Sequence, residues 1–248
     1  MLKTIKITSE DILHQVKVSC KITGTIEEIV TCQIIEDAAD EAGIKVEIEE
    51  LQQAADKIRL DQKLDSANDT WTWLEKHSLS LDDFEEIAYT TIISQKLAKH
   101  LFKDKVESFF LANKLDYASV VMYEIVLSDE DLVLELFYAI KEGEMSFYDA
   151  AHQYIQDVEL RRKCGYRGKV SRKDLKPEIS ATIFGAKPPQ LLKPIVTSKG
   201  VHLVLVEEII QPQLDEKLKF EIISDLWNMW LKQQVEQVEV VRDFVSKH

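Results

Sequence analysis

The chain is short of the residues that interrupt helices. Of its 248 residues only five are proline, and none comes before Pro177. Only seven are glycine, so little in the first half breaks or kinks a helix. Cysteine is also sparse: Cys20, Cys32 and Cys164 are odd in number and widely spaced. No pair has the short separation of a metal knuckle or redox motif, which argues against a metal site and leaves buried or free thiols. Long apolar runs are missing as well. A membrane-spanning helix needs about 18 or more such residues, and the N-terminal MLKTIKITSEDILHQ has polar groups every few positions instead of a secretory core. The expected location is cytoplasmic, without membrane insertion. A basic surplus is absent too: 31 Lys and Arg stand against 44 Asp and Glu, a formal charge of −13. Binding to nucleic acid or an anionic membrane is driven by neutralising phosphates, so nucleic acid is not the expected partner.

What remains reads as helices first and a sheet later. With 45% apolar residues the chain can bury one large core or two modest ones. TGTIEEIVTCQIIEDAADEAGI offers Thr25 and Glu28 as a capping box, apolar residues at helical spacing from Ile34 to Ala42, and Gly43 as a left-handed stop. EIEELQQAADKIRLDQKL, NDTWTWLEKH, a run opened by Ser80 with Asp83, and DKVESFFLANKL supply four more helices. Trp71, Trp73, Trp227 and Trp230 sit at helical spacings that suit either a helical core or a groove for unfolded chains.

Near Tyr117 the pattern changes. YASVVMYEIVL is β-branched and aromatic, a strand by propensity. DEDLVLELFYAIKEGE and SFYDAAHQYIQD return to helical spacing. Residues 161–173, RRKCGYRGKVSRK, hold seven basic residues and two glycines and are expected to form a loop. That loop is either an anion clamp or a solvated stretch that offsets nearby acids. A short helix in DLKPEISATIFGA, two strands in LLKPIVTSKGVHLVLVEEI and a last amphipathic helix from about Leu214 complete the chain. Helices followed by a mixed sheet unit indicate an α+β fold with two domains. The expected boundaries are a helical domain over 1–115, a sheet domain over 116–210, and a helix over 211–248 that returns to the helical domain.

Over residues 117–208 the chain resembles the parvulin family of peptidyl-prolyl cis-trans isomerases. The resemblance rests on Leu175, Pro177–Glu178–Ile179, Phe184, Lys187–Pro188–Pro189, Pro194–Ile195, Thr197 and Gly200–Val201–His202–Leu203–Val204. Upstream, Phe147, Ala151, Tyr154 and Asp157 match that family's short helix. Helices before the unit and one helix after it resemble the SurA/PrsA group of foldases and chaperones. The resemblance implies an all-helical SurA-like domain joined to a parvulin-like domain of FKBP-like β-α-β type.

It also implies a chemistry. Rotation about an X–Pro bond faces a barrier of about 18–20 kcal/mol, while cis and trans differ by only about 0.5–1 kcal/mol. A dry pocket that weakens amide resonance, with polar groups matched to the twisted amide, lowers that barrier without metal or cofactor. By resemblance, Leu175, Ile179 and Cys164 form the floor for the proline ring and Phe184 is a neighbouring core residue. Ile179 lacks the family's aromatic ring. His202 matches the histidine of the last strand, and Thr197 matches the hydroxyl beside it. Glu124 stands where the family has a second histidine, and Asp157 takes an acidic or cysteine position. The implied partners are unfolded or proline-containing peptides and proteins, with association with an export or peptide-maturation system left open. Two functions follow: an isomerase with a partly degenerate site, or a catalytically weak or silent SurA-like chaperone or peptide carrier.

Overall fold

A computed structural model describes residues 4–243. Contacts divide the chain into two units, one comprising residues up to Val106 with those from Lys219 onward, the other Glu107–Leu218. The first unit opens with α1 (Ser9–Val18), α2 (Ile22–Glu41), α3 (Ile48–Asp61), α4 (Ala67–His77) and α5 (Leu81–Phe102). Local chemistry sets several starts. Ser80 Oγ accepts from Asp83 N at 3.1 Å, and Asp83 Oδ2 accepts from Ser80 N at 2.7 Å. These two bonds satisfy amides that the first turn leaves orphaned. The Thr25–Glu28 box is not used: α2 begins earlier, at Ile22, and Thr25 Oγ1 donates to Lys21 O at 3.2 Å inside the helix. Gly43, at φ +65°, follows α2 as expected.

A short helix, α6 (Val106–Ala112), leads into the second unit. There follow β1 (Ser119–Leu127), α7 (Glu130–Glu142), α8 (Phe147–Tyr154), α9 (Val158–Arg162), β2 (Tyr166–Ser171), α10 (Pro177–Phe184), β3 (Gln190–Leu191), β4 (Ile195–Thr197) and β5 (Gly200–Ile210). The strands form one antiparallel sheet in the order β2-β1-β5-β3, with β4 also paired to β5. The expected loop over 161–173 is therefore the end of α9, the edge strand β2 and a 3-10 turn over Arg172–Asp174. Charge on an edge strand is how proteins discourage edge-to-edge pairing, so a basic composition does not exclude a strand.

Period-two alternation divides β1 and β5 between two cores. Ile125, Val201 and Leu203 face α7 and α8, where Val133, Leu136, Phe137, Phe147, Ala150 and Ala151 meet them. Val120, Met122, Val204 and Val206 face the other way, onto Ile179 and Ile183 of α10 and onto Leu192. Burial on both faces explains why VHLVLV is continuously apolar. A bulge shifts the β1–β5 register between Val121 and Met122, which lets Ile209 join the even-numbered residues on the α10 face.

The chain leaves the sheet through α11 (Glu216–Val235). In the helical unit, Ile35 and Ala39 of α2 and Ile93 and Leu97 of α5 form a buried cluster, with Trp227, Trp230 and Leu231 packed against it. Trp227 and Trp230 stack with ring centres 5.0 Å apart, whereas Trp71 is 52% exposed and lies outside any core. Among the described residues no helix is long and apolar enough to cross a membrane.

Candidate functional site

The register of β1 and β5 sets two polar residues side by side. Val126 lies opposite His202 and Glu124 opposite Val204, so Glu124 and His202 are diagonal neighbours on the α10 face. Both are buried, at 8% and 5% exposure, which obliges them to find partners. His202 Nδ1 lies 2.7 Å from Glu124 Oε1. A carboxylate oxygen accepts, so Nδ1 carries the hydrogen of this bond. The Thr197 hydroxyl stands 2.8 Å from Nε2 of the same ring.

Thr197 is held by a two-residue turn. It pairs with Gly200 across Ser198 and Lys199, and its Oγ1 accepts from Lys199 N at 3.1 Å. Gly200 has φ +130°, and a Cβ there would lie 2.7 Å from Leu127 O. Only glycine fits where β5 starts against the end of β1. A second close approach is at Gly165, φ +82°, where a Cβ would come within 2.8 Å of Glu124 O. Both glycines thus press backbone against the strand that carries Glu124.

One member of the site escaped the sequence reading. Arg167 Nε lies 3.4 Å from Glu124 Oε2, with its side chain 48% exposed. It is the extra residue of a bulge: Met122 pairs with Gly168 and Tyr123 with Tyr166, and Arg167 falls between. Grouping it with a basic loop hid it. The signal was the alternation of Gly168, Lys169 and Val170 beside a glycine pair, a strand pattern with a bulge inside it.

The proposed floor residues divide. Leu175 and Phe184 pack, partly buried, against Ile179 in the α10-face core, so these three share a face with His202. Ile179 itself is only 5% exposed, wedged into that core, and Leu175 and Phe184 form the accessible rim. The Arg172 guanidinium lies 4.8 Å from the Phe184 ring centre. Cys164 is not with them: it packs against the α7–α8 core, with Tyr154 and Leu160, on the opposite side of the sheet. Asp157 also stands apart, as the exposed cap of α9 that accepts from Leu160 N at 2.7 Å. That opposite side carries Tyr123, whose phenol is pushed up to about 12 by loss of water around it and by the hydroxyl of Tyr148. Its ring meets those of Tyr148 and Tyr166 at 5.4 and 5.1 Å.

The arrangement limits the chemistry. Both ring nitrogens of His202 are engaged, so the ring is held in one orientation. No group of three or more His, Cys, Asp or Glu that could hold a metal occurs among the described residues. Thr197, half-buried, is the end of this polar chain remote from Glu124.

A scan of family models places the PPIC-type PPIase (rotamase) domain on residues 129–208. The sheet unit is a parvulin domain. The matched span takes in Thr197 and His202 and starts just after β1, the strand that carries Glu124. Beyond the parvulin domain, the chain is similar to Foldase protein PrsA of Halalkalibacterium halodurans, 22% identical over 236 residues, covering 90% of this chain and 67% of that protein. It also matches Foldase protein PrsA of Caldanaerobacter subterraneus, 20% identical over 62% of this chain and 53% of that one. The chain thus spans about two thirds of the first relative and about half of the second. Among solved structures, PrsA from Bacillus cereus aligns with a TM-score of 0.54 at 17% identity, over 96% of this chain and 91% of that one. PrsA from Bacillus anthracis aligns with a TM-score of 0.50 at 17% identity, over 85% and 98%. Parvulin sheet and surrounding helices therefore follow the α+β architecture of those structures.

Proposed function

We propose that the protein is a PrsA-like foldase whose parvulin domain binds proline-containing segments of unfolded polypeptide and speeds cis-trans rotation of the X–Pro bond. The observation that carries this reading is the buried chain Glu124–His202–Thr197 on the same face as Leu175, Ile179 and Phe184. A proline ring set on the rim of Leu175 and Phe184 puts its amide beside the Thr197 hydroxyl. The planar amide resists rotation because its C–N bond has partial double-bond character. An apolar surround disfavours that charge-separated form, and when Nε2 of His202 donates to Thr197 the hydroxyl keeps its own hydrogen, which rewards the twisted amide more than the planar one. Glu124 and His202 act through Thr197: they fix the hydroxyl's direction and do not touch the substrate.

A second reading has its own support. Ile179 offers no aromatic face and is almost wholly buried, which leaves a shallower seat for the ring. In that reading the protein is a chaperone or peptide carrier with little turnover. Exchange NMR on an Xaa–Pro peptide separates the two. Wild type should speed exchange above the uncatalysed rate, and His202→Ala should cut the acceleration by roughly ten- to a hundredfold, less than the loss of a donor that itself meets the transition state. No acceleration by wild type, together with suppressed aggregation of an unfolded client, would establish the carrier.

A further inference from the structure

A hydroxyl inside a helix is commonly spent on the carbonyl four residues back. In α10 Thr182 does this, its Oγ1 donating to Glu178 O at 3.3 Å. Ser180 does not. Among the described residues the buried side chains of polar or charged type are Glu124, His202 and Ser180, the last at 6% exposure. Glu124 and His202 bond to each other, whereas no described group bonds to the Ser180 hydroxyl. An unpaired hydroxyl in a buried residue costs stability and needs an explanation. It is not sealed: among the described residues the side-chain polar atom that is both sealed and unpaired is Arg59 Nε, in the helical unit. Ser180 N donates to Lys176 O at 2.8 Å, and Lys176, Ser180 and Phe184 follow at four-residue steps along one stripe of α10. Both ends of that stripe belong to the site. Lys176 Nζ lies 3.0 Å from Ser198 Oγ, the residue after Thr197, and Phe184 is part of the proline rim. The helix itself packs against β4, the strand that carries Thr197.

We infer that Ser180 is a substrate-binding residue whose hydroxyl donates to the carbonyl oxygen of the proline itself. This rests on the seating of a proline ring on the same face. The choice of acceptor follows from what moves. During cis-trans rotation the carbonyl before the proline swings relative to the ring, so a fixed donor gripping it would resist the turn. Thr197 already stands beside the X–Pro amide in that reading. The carbonyl after the ring is attached to a ring carbon and keeps its place while the ring is held. One fixed hydroxyl can therefore hold it in cis, in trans and in the twisted state between them. A bond that is equal in all three anchors the segment: it lowers KM and leaves kcat almost unchanged.

The test uses the full chain and two substrates: an Xaa–Pro N-methylamide, and the matching Xaa–pyrrolidide, which lacks the proline carbonyl and whose two ring methylenes exchange by the same rotation. Exchange NMR gives kcat and KM for both, in wild type and in Ser180→Ala. A hydrogen bond between neutral groups corresponds to about five- to tenfold in binding, so Ser180→Ala should lower kcat/KM for the Xaa–Pro substrate by that factor, through KM. It should leave the pyrrolidide unaffected, because the acceptor is already gone and the two deletions cannot add. The urea midpoint of the domain, followed by hydrogen exchange of α10 and β5 peptides, should stay the same or rise, since the variant removes an unpaired polar group. Equal losses for both substrates, or no loss for either, overturn the inference. A lowered midpoint, or a variant that fails to fold, makes the hydroxyl a structural group and overturns it too. If wild type neither binds nor turns over the Xaa–Pro substrate, the function proposed for the domain fails, and this inference with it.

Discussion

Glu124→Ala should destabilise the parvulin domain by about 2–4 kcal/mol, because it removes the acceptor from two buried or half-buried donors at once. His202 Nδ1 loses its partner at 2.7 Å and Arg167 loses the carboxylate that lies 3.4 Å from its Nε. The ring is 5% exposed, so water cannot readily replace that partner. Glu124→Gln keeps an oxygen for Nδ1–H and loses only the attraction to a half-exposed guanidinium, so it should cost less than half as much. All four tryptophans lie at positions 71, 73, 227 and 230, in the helical unit, so fluorescence would miss the change. Hydrogen exchange of β1 and β5 peptides across a urea series reads it directly. Equal losses for the two variants would mean that the charge, and not the hydrogen bond to His202, holds the site together.

The second large effect is expected at the turn. Gly200→Ala places a Cβ 2.7 Å from Leu127 O at φ +130°, a region in which L-residues are strained. Backbone must move, since a carbonyl in a paired strand cannot swing aside as a side chain does. A cost of about 3 kcal/mol is expected, from about 1–3 kcal/mol of backbone strain plus the displaced pairing. Because Gly200 pairs with Thr197, the hydroxyl leaves Nε2 of His202, so peptide exchange should slow along with the loss of stability. Lys199→Ala in the same turn is the control. Its backbone N–H still reaches Thr197 Oγ1, and stability should stay within about 0.5 kcal/mol of wild type. If Gly200→Ala is as harmless as the control, the turn does not position Thr197.

Much of the sheet unit was legible because its signals are local and redundant. VVMYEIVL and VHLVLV are rich in β-branched residues and read as strands by propensity, and Pro177 opens α10 where a missing N–H costs nothing. Glu124, Thr197 and His202 could be singled out by resemblance, and their register then brought them together. Failures came where one residue changes the face. Cys164 was set on the proline floor by resemblance, but a positive φ at Cys164 and Gly165 turns the chain, and Cys164 faces the α7–α8 core. Asp157 was given an acidic or cysteine position by resemblance, yet a carboxylate before a short helix is first of all a cap. Arg167 was lost in a count of charges. A bulge cannot be counted from composition; it shows only when both partners of the ladder are in place. Thr25 shows the same limit in the helical unit, since nothing in the capping pattern reveals that α2 has already begun a turn earlier.

The central claim is that proline segments seat on the α10 face, beside Thr197. The most direct measurement is an NMR titration of the protein with a short peptide containing one X–Pro bond, following backbone amides. The account predicts that shifts concentrate at Leu175, Phe184, Thr197, Lys199 and His202, and that His202→Ala weakens them. Shifts confined to Tyr123, Tyr148 and Tyr166 on the opposite face of the sheet, or to the helical unit alone, would contradict it.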